Sequence, residues 1–221
     1  MPKSKIQHPN SIVETGSPPS AIRLPQSVIY PVILPVPEKV KDFKPRDRVI
    51  YLSRHARRAL EISAAKSGIP LGILSKDANG APLPFDGIYW SISHKHEFVG
   101  GVVAPRPIGI DIERIKPCSD ALFRKTAADG EWALAGRAGK SLNLFFRYWT
   151  AKEAVLKAAG TGLKDLSTCR VSRITNDLHL LIEYQNQPWQ IEHFFFKGHI
   201  ASIVADAGQI QWVLQNSHQC Q

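Results

Sequence analysis

Cysteine is scarce in this chain. Three occur in 221 residues, Cys118, Cys169 and Cys220, far apart and with no Cys-x-x-Cys pair. An odd, sparse set suits reduced cytoplasmic thiols better than a disulfide framework or a zinc site. Acidic residues are also in short supply. Asp and Glu number 19 against 28 Lys and Arg, for a net charge of +9 and a pI near 9.6. That balance favours anionic partners: phosphates, acidic proteins or nucleic acid. Zinc-finger spacing, an RNP-like aromatic motif and a dense Lys/Arg stripe are all missing, so nucleic acid is not the expected partner. Long apolar runs are missing too. Residues 28–36 are apolar but broken by Pro31 and Pro35, and they are far too few to cross a bilayer. The first segment is polar and lacks the basic-then-apolar order of a signal peptide. No internal repeat is visible.

Apolar content of 43% and charged content of 21% are ordinary for a soluble globular chain, long enough here for one large domain or two small ones. Nine of the sixteen prolines lie in residues 1–45. Residues 1–20 therefore read as a mobile tail and 21–45 as extended chain draped over the body. A Ser-Arg-His-Ala-Arg-Arg run predicts a helix over 53–66 with Ser53 as N-cap. Alternation predicts a strand over 88–94 and a returning strand over 97–104. Within the latter, Gly100 and Gly101 are either a bulge or a place of close backbone approach. Residues 127–137 predict a second helix. A third starts at the Ser141 cap and ends at Gly160. From Leu178 onward four alternating runs suggest an antiparallel meander, the last at 210–214. The expected class is α+β. Its units are residues 1–44, a Pro-rich tail and extended segment, then halves at 45–107 and 108–221.

Chemistry concentrates in two stretches. Ile108, Ile110 and Ile112 alternate with Gly109, Asp111 and Glu113, which reads as a strand with one buried face. Asp111 and Glu113 then share the other face, where like charges repel unless a cation or solvent offsets them. In the run Phe146-Arg147-Tyr148-Trp149-Thr150-Ala151-Lys152-Glu153-Ala154-Val155-Leu156-Lys157, Trp149, Glu153 and Lys157 are four apart and lie on one helix face. Asp111, Glu113 and Glu153 together make a plausible Mg²⁺ site, since that ion prefers hard oxygen ligands shared with phosphates and water. A solvated acidic strand edge beside a surface ion pair is the plain alternative. His94-Lys95-His96 offers no third ligand by spacing for zinc.

Gly109-Ile110-Asp111-Ile112-Glu113, followed by Trp149-Thr150-Ala151-Lys152-Glu153-Ala154 and Lys157, resembles the paired signature of the 4′-phosphopantetheinyl transferases. The likeness is to the longer surfactin-synthetase-activator or enterobactin-synthetase-component type rather than the short holo-acyl-carrier-protein synthase type. Gly80-Ala81-Pro82 and Ser91-Ile92-Ser93-His94 resemble the family as well. The resemblance implies a holo-[acyl-carrier-protein] synthase that moves 4′-phosphopantetheine from coenzyme A to a serine of an acidic acyl or peptidyl carrier protein. It implies Mg²⁺ at Asp111, Glu113 and Glu153, and 3′,5′-ADP as leaving group. It also implies two pseudo-twofold-related halves, each a helix on a small antiparallel sheet, in a cytoplasmic monomer with coenzyme A in the cleft between them. Arg54 and Arg57 would hold donor phosphates, as would Ser93, His94, Lys152 and Lys157. Glu153, Lys157 and Lys152 would be catalytic, with Glu153 taking the serine proton directly or through water; Lys152, turned about 100° off that face, would serve the phosphates from another side or simply anchor the helix. The family's Phe-Ser/Thr-x-x-Glu is not kept after Phe123, which leaves Glu131 as an expected helix-surface carboxylate. A basic module that binds coenzyme A or nucleic acid without turnover is the competing class, but it should have lost a carboxylate or lysine, and none is missing.

Overall fold

A computed structural model describes residues 28–78, 80–136, 139–205 and 209–216; the expected tail at 1–20 lies outside them. Two sheets form the body, each crossed by one long helix. The first has strands in the order β2 (Tyr89–His94), β3 (Phe98–Ala104), β1 (Val32–Pro35) and β9 (Val213–Leu214), and α1 (Pro45–Ser67) lies on it. The second runs β4 (Ile110–Arg114), β8 (His199–Val204), β7 (Gln187–Phe196), β6 (His179–Tyr184) and β5 (Arg170–Ile174), with α4 (Leu142–Ala159) across β4 and β8. Two short helices, α2 (Asp120–Thr126) and α3 (Asp129–Ala133), join β4 to α4. All pairings within named strands are antiparallel except β1 with β9, which is parallel. The fold is α+β with helices packed on antiparallel sheets.

β3 is buried along its whole length because both of its faces are covered. Its glycines face opposite ways, as the pleat requires. A Cβ on Gly101 would meet the backbone nitrogen of Leu60 in α1 at 2.6 Å, and one on Gly100 would meet Ile112 of β4 at 2.6 Å. Of the two expectations for this pair, close approach holds and β3 carries no bulge. Gly109 does the same for the second helix, where an added Cβ would lie 1.9 Å from the carbonyl oxygen of Ala154. Between the sheets, serine side chains replace a backbone ladder. Ser91 and Ser93 of β2 accept from the amides of Ile110 and Ile112 of β4, each at 3.1 Å.

Several expected boundaries move. The first helix begins at Pro45 rather than Ser53, because a proline at N1 starts a helix without needing its N–H. Part of the expected drape, Val32–Pro35, is an inner, fully buried strand. Within the helix expected at 127–137 the structure places the shorter α3, Asp129–Ala133, and extended Ala127 and Ala128 separate it from α2, which ends before that span. The meander is β5 to β8, and the last run crosses to the first sheet as β9. β5 escaped the alternation rule because its register shifts between Val171 and Arg173. The Ser141 and Gly160 caps hold: Ser141 accepts from Leu144 N–H, and Gly160 is left-handed at φ 71°.

Candidate active site

β4 and α4 meet at the edge of a cavity of about 760 Å³. Gly109 makes the meeting possible, since any side chain there would push α4 away from the strand. Pleat and helix turn then bring three carboxylates together. Asp111, Glu113 and Glu153 each offer an oxygen within 4.8 Å of the other two. Asp111 is buried, and its Oδ1 accepts from Lys157 Nζ at 2.7 Å and from Ser93 Oγ at 3.0 Å. Its Oδ2 is buried with no hydrogen-bond partner. Glu113 Oε1 accepts from Lys95 Nζ at 2.7 Å and from the Trp149 indole at 3.2 Å. Glu153 lies 4.0 Å from Lys157, beyond hydrogen-bond reach.

The cluster is short of positive charge. Burial, and then repulsion from Asp111, raise the Glu153 carboxyl to about 8, against the pull of Lys157 and Lys95. Burial disfavours the Lys95 ammonium, yet Asp111, Glu113 and Glu153 outweigh it and hold that group above its usual value. His94 is pushed down by burial and by the Lys157 charge, so it is neutral at pH 7. An all-oxygen donor set with an unpartnered buried carboxylate oxygen fits a hard divalent cation such as Mg²⁺. Among the described residues, His94 and His96 join no three-ligand group.

The structure sorts the expected residues. Asp111, Ser93, His94, Glu153 and Lys157 line the cavity, and Glu113 stands beside Asp111 on β4. Ser93, expected to touch phosphate, spends its hydroxyl on Asp111 and on the Ile112 amide and so fixes the strand carboxylate. Trp149, on the same helix face as Glu153 and Lys157, donates to Glu113. Arg54 and Arg57 are exposed on α1 and do not line the cavity. Lys152 is on another face of α4, buried, and bonded to Glu131 at 2.6 Å and to the Thr126 carbonyl at 2.8 Å. A residue next to Glu153 in sequence is turned about 100° from it, and that turn carries Lys152 into the core. Glu131 is correspondingly no surface group. It is buried and accepts from the Ala128 and Val171 amides, each at 2.9 Å. The sequence reading missed Lys76 and Lys164, which stand at the cavity rim. Their signal was proximity to the turns Gly80-Ala81-Pro82 and Gly160-Thr161-Gly162, both of which line the cavity.

Residues 107–204 match the family model for the 4′-phosphopantetheinyl transferase superfamily. Curated relatives agree. The 4′-phosphopantetheinyl transferase psf-1 of Bacillus pumilus is 30% identical over 109 residues, covering 48% of this chain and 47% of that protein. The transferase gsp of Aneurinibacillus migulanus is 31% identical over 93 residues, 41% of this chain and 39% of its own. The L-aminoadipate-semialdehyde dehydrogenase-phosphopantetheinyl transferase of Schizosaccharomyces pombe is 32% identical over 123 residues, 47% of this chain and 44% of its own. In each case the chain spans less than half the length of the relative it matches. The matched segment contains β4, α4 and all three clustered carboxylates, and over residues 107–204 the chain is similar to the 4′-phosphopantetheinyl transferase superfamily.

Proposed function

We propose that the protein transfers the 4′-phosphopantetheine group of coenzyme A to a serine of an apo acyl or peptidyl carrier protein, with Mg²⁺, releasing 3′,5′-ADP. The observation that carries this reading is the carboxylate cluster, Asp111, Glu113 and Glu153, at the wall of a cavity also lined by Lys157 and His94. Transfer joins the serine oxygen to the proximal phosphorus, breaks the pyrophosphate P–O bond and sends the hydroxyl proton to a base. Asp111, Glu113 and Glu153 would hold the ion. When bound, it neutralises pyrophosphate charge and favours the ionised form of Glu153. Glu153 accepts the proton, directly or through water. Lys157 steadies Asp111 and presents positive charge to the phosphates as the leaving group departs. Lys76 and Lys164 add cationic rim for the donor's distal phosphate. An acidic carrier protein agrees with a net charge of +9. Among the described residues no helix is long and apolar enough to cross a membrane. A cytoplasmic monomer is the setting we propose.

The test is intact-mass spectrometry of an apo carrier protein after incubation with the protein, coenzyme A and Mg²⁺, with an EDTA control. A metal-dependent gain of one phosphopantetheine group supports the reading. No gain on fatty-acid, polyketide and peptide carriers, with coenzyme A still bound, assigns the fold to binding without turnover.

A further inference from the structure

Lys95 has no part in the roles above, although it touches the cluster. It follows β2 in the turn to β3, and its Nζ lies 2.7 Å from Glu113 Oε1. Its side chain is 34% exposed while that of Glu113 is 16% exposed, so the ammonium caps the carboxylate from the solvent side. Lys157 treats Asp111 in the same way from α4, at 2.7 Å. Three carboxylates thus meet two ammonium groups, an excess of one negative charge when all three are ionised. Lys157 and Lys95 both line the cavity, and the polar partner of the Lys95 side chain there is Glu113.

We propose that Lys95 is a built-in counter-charge that lowers the affinity of the free protein for its divalent ion, so that the ion binds tightly only together with the phosphate-bearing co-substrate. The inference rests on the metal reading of the cluster. A carboxylate paired at 2.7 Å must either release its ammonium or leave it beside the incoming ion, and both weaken binding. Apparent affinity falls with the fraction of molecules in which Glu113 is available. Substrate phosphates supply the negative charge that Lys95 cancels, which makes ion and co-substrate binding mutually supportive. The same pair holds like charges together in the ion-free protein, where Asp111, Glu113 and Glu153 would otherwise repel.

The experiment is calorimetric titration of the full chain with Mg²⁺ alone, then with coenzyme A present, for the parent, Lys95→Met and Lys95→Arg. Lys95→Met is expected to bind Mg²⁺ alone about fivefold tighter, the order of one partly exposed ion pair. It should also show a smaller gain from coenzyme A, while Lys95→Arg keeps the charge and behaves as the parent. Without metal, Lys95→Met should melt lower than the parent, and Mg²⁺ should raise its Tm further. Measurable but equal Mg²⁺ affinities in parent and Lys95→Met overturn the role of Lys95 and leave the metal centre standing. No Mg²⁺ binding to any of the three, with or without coenzyme A, overturns both.

Discussion

Lys152 and Lys157 lie five residues apart on α4, and each is paired to a carboxylate. The Lys152 network is closed. Its ammonium meets Glu131 and the Thr126 carbonyl, and both Glu131 oxygens are taken, by Lys152, Val171 N–H and Ala128 N–H. The Lys157 network is open. Asp111 keeps one buried oxygen without a partner, and the Glu153 carboxyl has no hydrogen bond from Lys157 at 4.0 Å. A saturated network fixes a structure, because every lone pair already has its donor. An unsaturated one retains capacity for a ligand. The two lysines differ less in chemistry than in how completely their surroundings satisfy the carboxylate beside them.

The sharpest way to break this comparison is to remove the open carboxylate. Glu153→Gln is expected to lower transfer to a carrier protein about 10³-fold, within the range for loss of a general base. Its circular dichroism should match the parent, since no hydrogen bond is lost. Activity within a few-fold of the parent would remove Glu153 from the mechanism.

Next is the closed side. Lys152→Ala leaves Glu131 charged in the core and should cost about 3–5 kcal/mol in denaturant unfolding, the usual penalty for breaking a buried ion pair. The double variant Lys152→Met with Glu131→Gln should recover much of it, because both charges leave together. Lys157→Ala removes an ammonium whose side chain is 30% exposed, so water can take its place beside Asp111; it should cost less stability than Lys152→Ala while strongly reducing transfer. Equal stability losses for Lys152→Ala and Lys157→Ala would erase the distinction between closed and open networks.

The contrast was only half legible in the sequence. Asp111 with Glu113, and Trp149 with Glu153 and Lys157, announce themselves by periods of two and four residues, which local geometry imposes. The Glu131–Lys152 pair has no such period. It forms because extended Ala127 and Ala128 split the connection into α2 and α3 and turn Glu131 inward, a tertiary event. The parallel pairing of β9 with β1 is equally non-local, since it joins residues 32–33 to 213–214. The resemblance points to Arg54 and Arg57, but it does not say which face of α1 looks toward the cleft.

Titration gives a smaller, signed effect. The Glu153 carboxyl is raised from 4.5 to about 8 in the metal-free fold, so between those values the native state binds more protons than the unfolded chain. Stability therefore falls as pH rises through that window. His193 acts in the opposite sense. It is buried against Ser202, and burial followed by the Arg147 charge holds it well below 6.5. The unfolded chain then binds more protons below about pH 6.5, and stability is lost as pH falls. Glu153→Gln should raise the metal-free Tm at pH 8 by ~2–4 °C while leaving the acid limb in place. An unchanged Tm at pH 8 would show that the carboxylate is not under electrostatic stress.

The smallest expected effect falls on residues that the sequence favoured and the fold sets aside. Arg54 and Arg57 are exposed on α1 and outside the cavity lining, whereas Lys76 and Lys164 stand at its rim. Arg54→Ala and Arg57→Ala should each change the KM for coenzyme A less than about twofold, the small effect expected of a surface charge outside the site. Lys164→Ala should raise that KM several-fold, and by less for the 3′-dephospho form if its charge faces the distal phosphate. Comparing the two donors on all three variants separates a cation that meets a phosphate from one that only adds to the field. A larger effect at Arg54 than at Lys164 would move donor recognition from the cavity rim back to α1.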